Sequence, residues 1–378
     1  MIIAGYVVFQ LTGSTFQTQL VGVASTAPML LLGVVSGFIA DSFERRHVLI
    51  TIHLVNIVLA GTVAALLLAG LIESWHLLAL TGGFGVSNAL DMTARRAFVS
   101  DVVTSPALPF AFALETMSMT SSAMIGPWIG GALVDYAPLG DTGAAGPYLF
   151  MMAAYAVGAL LLAVRVRSSG RQRLGPVNLG SAVESIAQGL RAIAGNRVVV
   201  DTLGITIMWN LFFASYQPLL PVFADEVLQV SPALLGLLGG AQGVGALLGS
   251  VFIATRRSIG HRSRYYIFGT LLSLASLFVF SLSSVFSLSF AALVVAGVGF
   301  AGFATMQTTL VLVSVEEEMR GRAMGVVSMA IGGLPLGMLG VGALAEVLGP
   351  GTAVTITAST GFVGVCLWSW RARAMRRI

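Results

Sequence analysis

Long unbroken apolar runs constrain this chain more than any other feature. Runs such as 48–70, 233–255 and 286–310 hold about 20 residues, the length at which a helix crosses roughly 30 Å of hydrocarbon. Backbone inside lipid must satisfy its own N–H and C=O groups, so spanning segments are helices or closed barrels. These runs are continuous rather than alternating, which argues against strands. Only 10% of the 378 residues are charged and 56% are hydrophobic, whereas soluble domains carry about a quarter charged residues. The chain reads as an all-α polytopic membrane protein.

The runs predict spans at 1–11 (short), 18–40, 48–70, 75–95, 108–134, 147–164, 199–223, 233–255, 265–284, 286–310, 322–347 and 352–370. A net charge of +4 and a pI near 9.6 would suit a nucleic-acid partner, but the charges are placed otherwise. All 20 basic residues are arginine. They cluster between spans at Arg45/Arg46, Arg95/Arg96, Arg165 to Arg173, Arg256 to Arg264, Arg320/Arg322 and Arg371 to Arg377. The intervening turns carry Glu73, Asp135, Asp141, Asp225, Glu226 and Glu346 and no arginine. This is the positive-inside pattern. It makes the arginine turns and the C-terminus cytoplasmic in a multi-pass protein of the cell membrane, with no nucleic-acid partner. The one cysteine, Cys366, lies in the last run, so neither a disulfide framework nor a metal cluster is expected. The N-terminus lacks a basic region and a small-residue cleavage site, so no signal peptide is expected.

The long connection at 165–197 carries Leu179, Val183, Ile186, Leu190 and Ile193 at helical spacing. It predicts an amphipathic helix on the cytoplasmic membrane surface or on protein. Ser181 and Glu184 fit a capping box, and Gly195 a stop.

Two phrases recur. Ser36-Gly-Phe-Ile-Ala-Asp41 returns as Ser250-Val-Phe-Ile-Ala-Thr255, and Gly131-Ala-Leu-Val-Asp135 returns as Gly342-Ala-Leu-Ala-Glu346. The separations are nearly equal and the topological positions match. The expected organisation is two parallel six-helix pseudo-repeats, with halves at 1–164 and 198–378 joined by the cytoplasmic segment 165–197. In that frame the counterpart of the seventh span begins about a dozen residues before Met1. The twelve-span architecture is therefore expected to have an incomplete first span, from a start codon assigned late or from truncation.

Gly37-Phe-Ile-Ala-Asp41-Ser-Phe-Glu-Arg45-Arg46 resembles the loop 2–3 signature of the major facilitator superfamily, with Ser42 and Glu44 departing from it. Gly126-Pro127-Trp-Ile-Gly130-Gly131 resembles that family's fifth-span antiporter signature. Asp91-Met-Thr-Ala-Arg95-Arg96 and Arg320-Gly-Arg322 resemble the branch of the enterobactin exporter and macrolide efflux proteins. The resemblance implies secondary active export of small amphipathic organic molecules, of drug or siderophore type, by alternating access. It implies a gating role for Gly37, Asp41, Arg45, Arg46, Asp91, Arg95, Arg96, Gly126, Pro127, Gly130, Gly131, Arg320 and Arg322.

Physical chemistry supplies jobs for these residue types. Asp41 at a tight inner turn can accept helix amides or pair with nearby arginines; a solvated turn is the plainer alternative. Small residues beside Pro127 let helices approach and kink. Gly236, Gly240, Gly245 and Gly249 are expected only to pack. The Asp91–Arg95 pair at i,i+4 is expected to be structural. Glu115, about 10 Å into its span, is the candidate proton-coupling group; an interfacial glutamate paired with arginine is the alternative. His53 is a weaker candidate, and Asp201 is expected at the interface. Asn56, Trp209, Asn210, Gln242 and Gln307 are the expected cavity residues between the halves, with Tyr216 and Gln217 further out. Glu316–Arg320 and Glu318–Arg322 read as i,i+4 pairs.

There is no phosphate-binding loop and no metalloprotease or Cys-x-x-Cys motif, so the protein is not read as an enzyme and no cofactor is expected. The expected partners are a small-molecule substrate, protons and the bilayer, with the chain monomeric. A lipid flippase and a non-transporting scaffold or sensor remain alternatives at this point.

Overall fold

The computed structural model describes residues 1–103, 107–136, 143–165, 195–255, 261–316 and 319–372; the side chains of 31, 33–42, 100, 109, 113, 165, 320–322, 325 and 328 also lie outside the description. The expected amphipathic helix in 165–197, and the pairing of Glu318 with Arg322, therefore lie outside the described residues.

Every regular element among the described residues is helical. The N-terminal group is α1 (Ile2–Thr12), α2 (Thr15–Ser42), α3 (Arg45–Leu68), α4 (Ser74–Val102), α5 (Leu108–Tyr136) and α6 (Ala145–Arg165). The C-terminal group is α7 (Arg197–Phe212), α8 (Pro232–Ala254), α9 (Arg262–Leu282), α10 (Phe286–Ser314), α11 (Arg320–Ile331), α12 (Leu334–Leu348) and α13 (Pro350–Arg371). Among the described residues, 8 helical segments are long and apolar enough to cross a membrane. The turns fall into two sets. One carries the arginine clusters (the arginine end) and the other the acidic residues (the acidic end).

The structure departs from the expected spans at two breaks near prolines and at the end of α4. Helix α7 stops at Phe212 and continues as a 3-10 segment Ala214–Leu219, a short turn Leu220–Val222 and a π turn Phe223–Val227. Pro218 and Pro221 have no amide to donate, so the regular ladder cannot run through them. The expected span at 322–347 is split into α11 and α12 at Gly332 and Gly333. Pro335 cannot bond back to Ile331, and its ring crowds that carbonyl. Helix α4 runs beyond the expected end at 95, to Val102. By contrast α2 keeps Pro28 inside it. Gly85 of α4 leaves room for the Ala24 carbonyl that Pro28 releases; a Cβ there would lie 3.0 Å from that oxygen.

Packing depends on glycine. Gly245 and Gly249 of α8 lie on α10: a Cβ at Gly245 would run into the Val294 carbonyl oxygen, and one at Gly249 would lie 2.7 Å from Ala301 Cβ. Gly269 of α9 meets Gly299 of α10 in the same way, with the Gly299 oxygen 2.6 Å from an added Cβ. Burying apolar side chains against one another gains little in lipid, so helices associate by such close contacts. Two large apolar clusters stand out. The larger lies within the C-terminal group around Phe213, Phe223, Leu238, Tyr266, Phe280 and Phe303. The smaller gathers Val7, Val8, Val21, Val63, Leu77 and Tyr148 in the N-terminal group. Helix α1 joins them, with Phe9 in the first cluster and Ile3, Val7 and Val8 in the second.

Two crossings bring the groups together: α5 with α8, and α2 with α12. The close approaches run from Ser14 to Leu30 on α2 and from Met124 to Asp135 on α5. Both stretches lie toward the acidic end. At the α8–α10 crossing, Gly245→Ala is expected to lower the thermal unfolding midpoint in detergent by an overpacking cost of about 1–3 kcal/mol. Gly340→Ala, where an added methyl meets nothing within 4 Å, is the control and is expected to leave the midpoint unchanged or slightly raised.

Candidate functional site

The arginines of the α2–α3 turn are engaged within the N-terminal group. Arg45 Nη1 donates to Asp101 Oδ2 at 2.7 Å and to the Ala97 carbonyl at 3.2 Å, tying α3 to α4. Arg46 donates to the carbonyls of Leu162 at 3.1 Å and Ala163 at 2.6 Å. These belong to the last turn of α6, whose carbonyls have no amide of their own, and a cation there also meets the negative end of the helix dipole. Sequence reasoning missed Asp101, which lies outside any recognised motif. Gly37 and Asp41 lie in α2, and Arg320 and Arg322 in α11, but their side chains are outside the described set. Arg96 is exposed.

Deeper in the same group, Arg95 stands between two carboxylates. Its Nη2 lies 3.1 Å from Asp91 Oδ2 and its Nε lies 3.8 Å from Glu115 Oε1. The first contact is an i,i+4 ion pair within α4. The second is within ion-pair range but too long for a hydrogen bond, and Arg95 Nε is buried without a hydrogen-bond partner. Glu115 is only 12% exposed. Because α4 continues to Val102, Asp91 sits about 16 Å from the helix end, further in than the expected span implied.

His53 of α3 borders this trio and is within electrostatic reach of Asp91. Its Nδ1 lies 2.8 Å from the Leu49 carbonyl oxygen. A carbonyl only accepts, so Nδ1 carries the proton and Nε2 of the neutral ring is left as an acceptor. Gly158 of α6 leaves room for the ring, since a Cβ there would lie 2.8 Å from Nε2. Tyr155 meets the ring edge-on at 5.6 Å between centroids. Sequence reasoning missed Tyr155. The i,i+3 spacing of Tyr155 and Gly158 on α6 was the available signal. Ionisable groups gathered between membrane helices are costly and mark ion or proton handling. Two carboxylates sharing one guanidinium can hold one negative charge or, with one proton added, none.

The five expected cavity residues do not form one group. Asn56 is buried in α3, one turn beyond His53. Trp209, Asn210 and Gln307 meet inside the C-terminal group. Trp209 stacks on Phe303 at 4.4 Å and packs on Phe213 and Phe300. Asn210 donates to the Thr206 carbonyl at 2.9 Å, and Gln307 donates to Thr206 Oγ1 at 2.7 Å. Tyr266 completes this ladder, 3.0 Å from Thr206 Oγ1. Gln242 lies apart on α8 and accepts from Tyr216 at 3.2 Å and Gln217 at 3.1 Å.

The Gly-Pro stretch of α5 divides by face. Gly131 and Pro127 lie on α8, where Gly236 and Gly240 receive the backbone of Pro127, Trp128 and Met124, and Gly239 the Pro127 ring. Gly130 faces Ile3 of α1, and Gly126 has nothing within 4 Å of an added Cβ. From Thr116 to Gly126 nearly every helical phase of α5 is exposed. A helix with one lipid face cannot be exposed all round, so this stretch also has an open side toward the arginine end. It carries Thr116, Ser118, Ser121 and Ser122, all exposed.

The sequence profile of the family described as transmembrane secretion effector matches residues 1–375. An uncharacterized MFS-type transporter of Bacillus subtilis (strain 168), YfiS, is 25% identical over 267 residues, 70% of this chain and 61% of that protein. The match thus spans less than two thirds of that relative. A bacterial homolog of the human lysosomal transporter Spinster, inward-facing and unoccupied, superposes with a TM-score of 0.71 at 15% identity, covering 100% of this chain and 91% of that one. The nucleoside transporter NupG gives 0.73 at 14% identity, covering 99% and 94%. A POT family transporter in complex with 5-aminolevulinic acid gives 0.75 at 12% identity, covering 99% and 93%. At these identities the likeness is one of fold.

A double-mutant cycle on Arg95→Met and Glu115→Gln, read by thermal unfolding, is expected to give a coupling of about 0.5–3 kcal/mol. Additive single effects would mean that the two side chains do not interact.

Proposed function

This chain belongs to the transmembrane secretion effector family of the major facilitator superfamily, and from that premise we propose that it exports small amphipathic organic molecules by proton antiport. It is a membrane transporter and not an enzyme. The substrate class is the drug or siderophore type of the exporter branch whose motifs its sequence resembles. The proposed location is the cell membrane, with the C-terminus on the cytoplasmic side and the chain acting as a monomer.

In this reading the units are residues 1–164 and 198–378, linked through 165–197, and they rock to expose a path between them at one end or the other. Asp41 with Arg45, Arg46, Arg320 and Arg322 gates the arginine end. The Gly-Pro face of α5 is the sliding contact against α8. Glu115 carries the proton, with Asp91 and Arg95 as its charge partners. Asn56, Trp209, Asn210, Gln242 and Gln307 are the polar residues an amphipathic substrate would use, Asn56 from beside the proton site and the others from the C-terminal unit.

The observation that carries this reading is the placement of Glu115. It is nearly buried, 3.8 Å from Arg95, at the root of the α5 stretch that is open on more than its lipid side. A proton binding there changes the charge of a site next to that open side, which is the linkage an antiporter requires.

The test is transport in proteoliposomes with an imposed pH gradient and a fluorescent amphipathic cation such as ethidium. The parent protein is expected to move the dye against its gradient. Glu115→Gln is expected to reduce this to the rate of protein-free vesicles while leaving dye binding intact. Parental coupling in Glu115→Gln would overturn the proton assignment. Movement of labelled lipid with none of dye would overturn the substrate class.

A further inference from the structure

The two recurring carboxylates, Asp135 and Glu346, each reach across to the other group and take a backbone amide at the start of a helix. Asp135 closes α5, and its Oδ2 accepts from the Ala233 amide at 2.9 Å. Glu346 lies near the end of α12, and its Oε2 accepts from the Phe16 amide at 2.8 Å. In both cases the amide belongs to the second residue of the helix, α8 beginning at Pro232 and α2 at Thr15. Such amides have no carbonyl partner within their own helix. They carry the positive end of the helix dipole, where a carboxylate is favoured.

The surroundings make these contacts more than surface decoration. Ser231, at the cap position of α8, makes no side-chain cap bond, so the described cap on that helix comes from the other group. At α2 the cap residue Ser14 is itself recruited: its hydroxyl lies 3.1 and 3.2 Å from the two Glu346 oxygens. Gly13, at φ 63°, makes the left-handed turn that delivers Ser14 from α1. Both bridges sit at the acidic ends of the two glycine-rich crossings. Gly131 of the first phrase lies on Pro232 and Gly236, and Gly342 of the second lies on Phe16 and Gln19. Each phrase therefore supplies a small residue for the approach and a carboxylate one helical turn later for the bond.

We propose that Asp135 and Glu346 form a reciprocal latch that holds the acidic end closed. The latch is built from helix amides because the turns at that end carry acids and no arginine. Closure gathers Asp135, Asp225, Glu226 and Glu346 on one face. Asp225 accepts from Gln10 at 2.9 Å, which adds a bridge from α1 to the C-terminal group. Mutual repulsion among these acids favours opening, and the two capped amides oppose it. Loss of either bridge shifts the balance toward the state open at the acidic end, and loss of both shifts it by the product of the two effects.

The test is the distance distribution between spin labels on the whole protein in liposomes. Leu71→Cys and Leu282→Cys, both exposed at the acidic end, are labelled in a Cys366→Ser background. Asp135→Asn and Glu346→Gln are each expected to raise the ratio of open to closed populations by about three- to tenfold. Glu226→Gln, which only relieves repulsion, is expected to leave the ratio unchanged or lower it. The sign separates the explanations: if Asp135→Asn and Glu346→Gln move the ratio in the same direction as Glu226→Gln, or not at all, the latch is wrong. Ala233→Pro deletes the amide that Asp135 takes while leaving every charge in place, and proline is tolerated in a first helical turn. It is expected to reproduce Asp135→Asn, and a parental ratio in it would equally overturn the proposal. The inference rests on alternating access. Were that reading wrong, the parent would show a single population in every condition. Failure of the latch alone would leave two populations that these variants do not move.

Discussion

The approach of backbone to backbone at the α5–α8 crossing is the contact on which the rest of the arrangement depends. Gly236 and Gly240 lie so close to the carbonyls of Pro127 and Met124 that no side chain fits between. In lipid, a helix gains little by burying another leucine, so association is driven by close packing and polar contacts. This crossing and that of α2 with α12 set the separation of the two groups at the acidic end. The position of α1 between the two apolar clusters follows from that separation, as does the exposure of α5 beyond Met124.

The polar chemistry is distributed accordingly. In the N-terminal group, cations sit between helices: Arg45 joins α3 to α4, Arg46 holds the end of α6, and Arg95 faces both Asp91 and Glu115. Among the described residues of the C-terminal group the interior is neutral, with Tyr266, Asn210 and Gln307 all hydrogen-bonded to Thr206. Charge in one group and neutral hydrogen bonding in the other suit a division of labour between ion handling and organic recognition.

Much of the helix pattern was legible because a membrane span must be apolar over its length, and composition alone reveals that. What escaped was whatever depends on a neighbour. Pro28 leaves α2 continuous because Gly85 makes room for the released carbonyl, whereas Pro335 ends a helix; the residue itself does not distinguish these outcomes. The glycines of α8 looked alike, yet Gly236 and Gly240 face α5 while Gly245 and Gly249 face α10, since the two sets lie on different sides of the helix. All four pack tightly against a neighbouring helix, as expected, but the sequence does not say which neighbour each one meets. The recurrence of Asp135 and Glu346 was visible, but their partners are main-chain amides, which every residue but proline possesses, and no side-chain pattern points to them. The proximity of Arg95 to Glu115 required two helices to be placed.

The break at Gly332 and Gly333 has a mechanical consequence. A continuous span would behave as a stiff rod, and force on its arginine end would lever directly on Glu346. With two short helices joined at an elbow, α11 can pivot while α12 stays seated on α2. Deformation then concentrates in the few backbone torsions of the elbow. Rotation there would move the arginine end of this span without breaking the Glu346–Phe16 bond, and substitutions that stiffen the elbow would tie the two ends together.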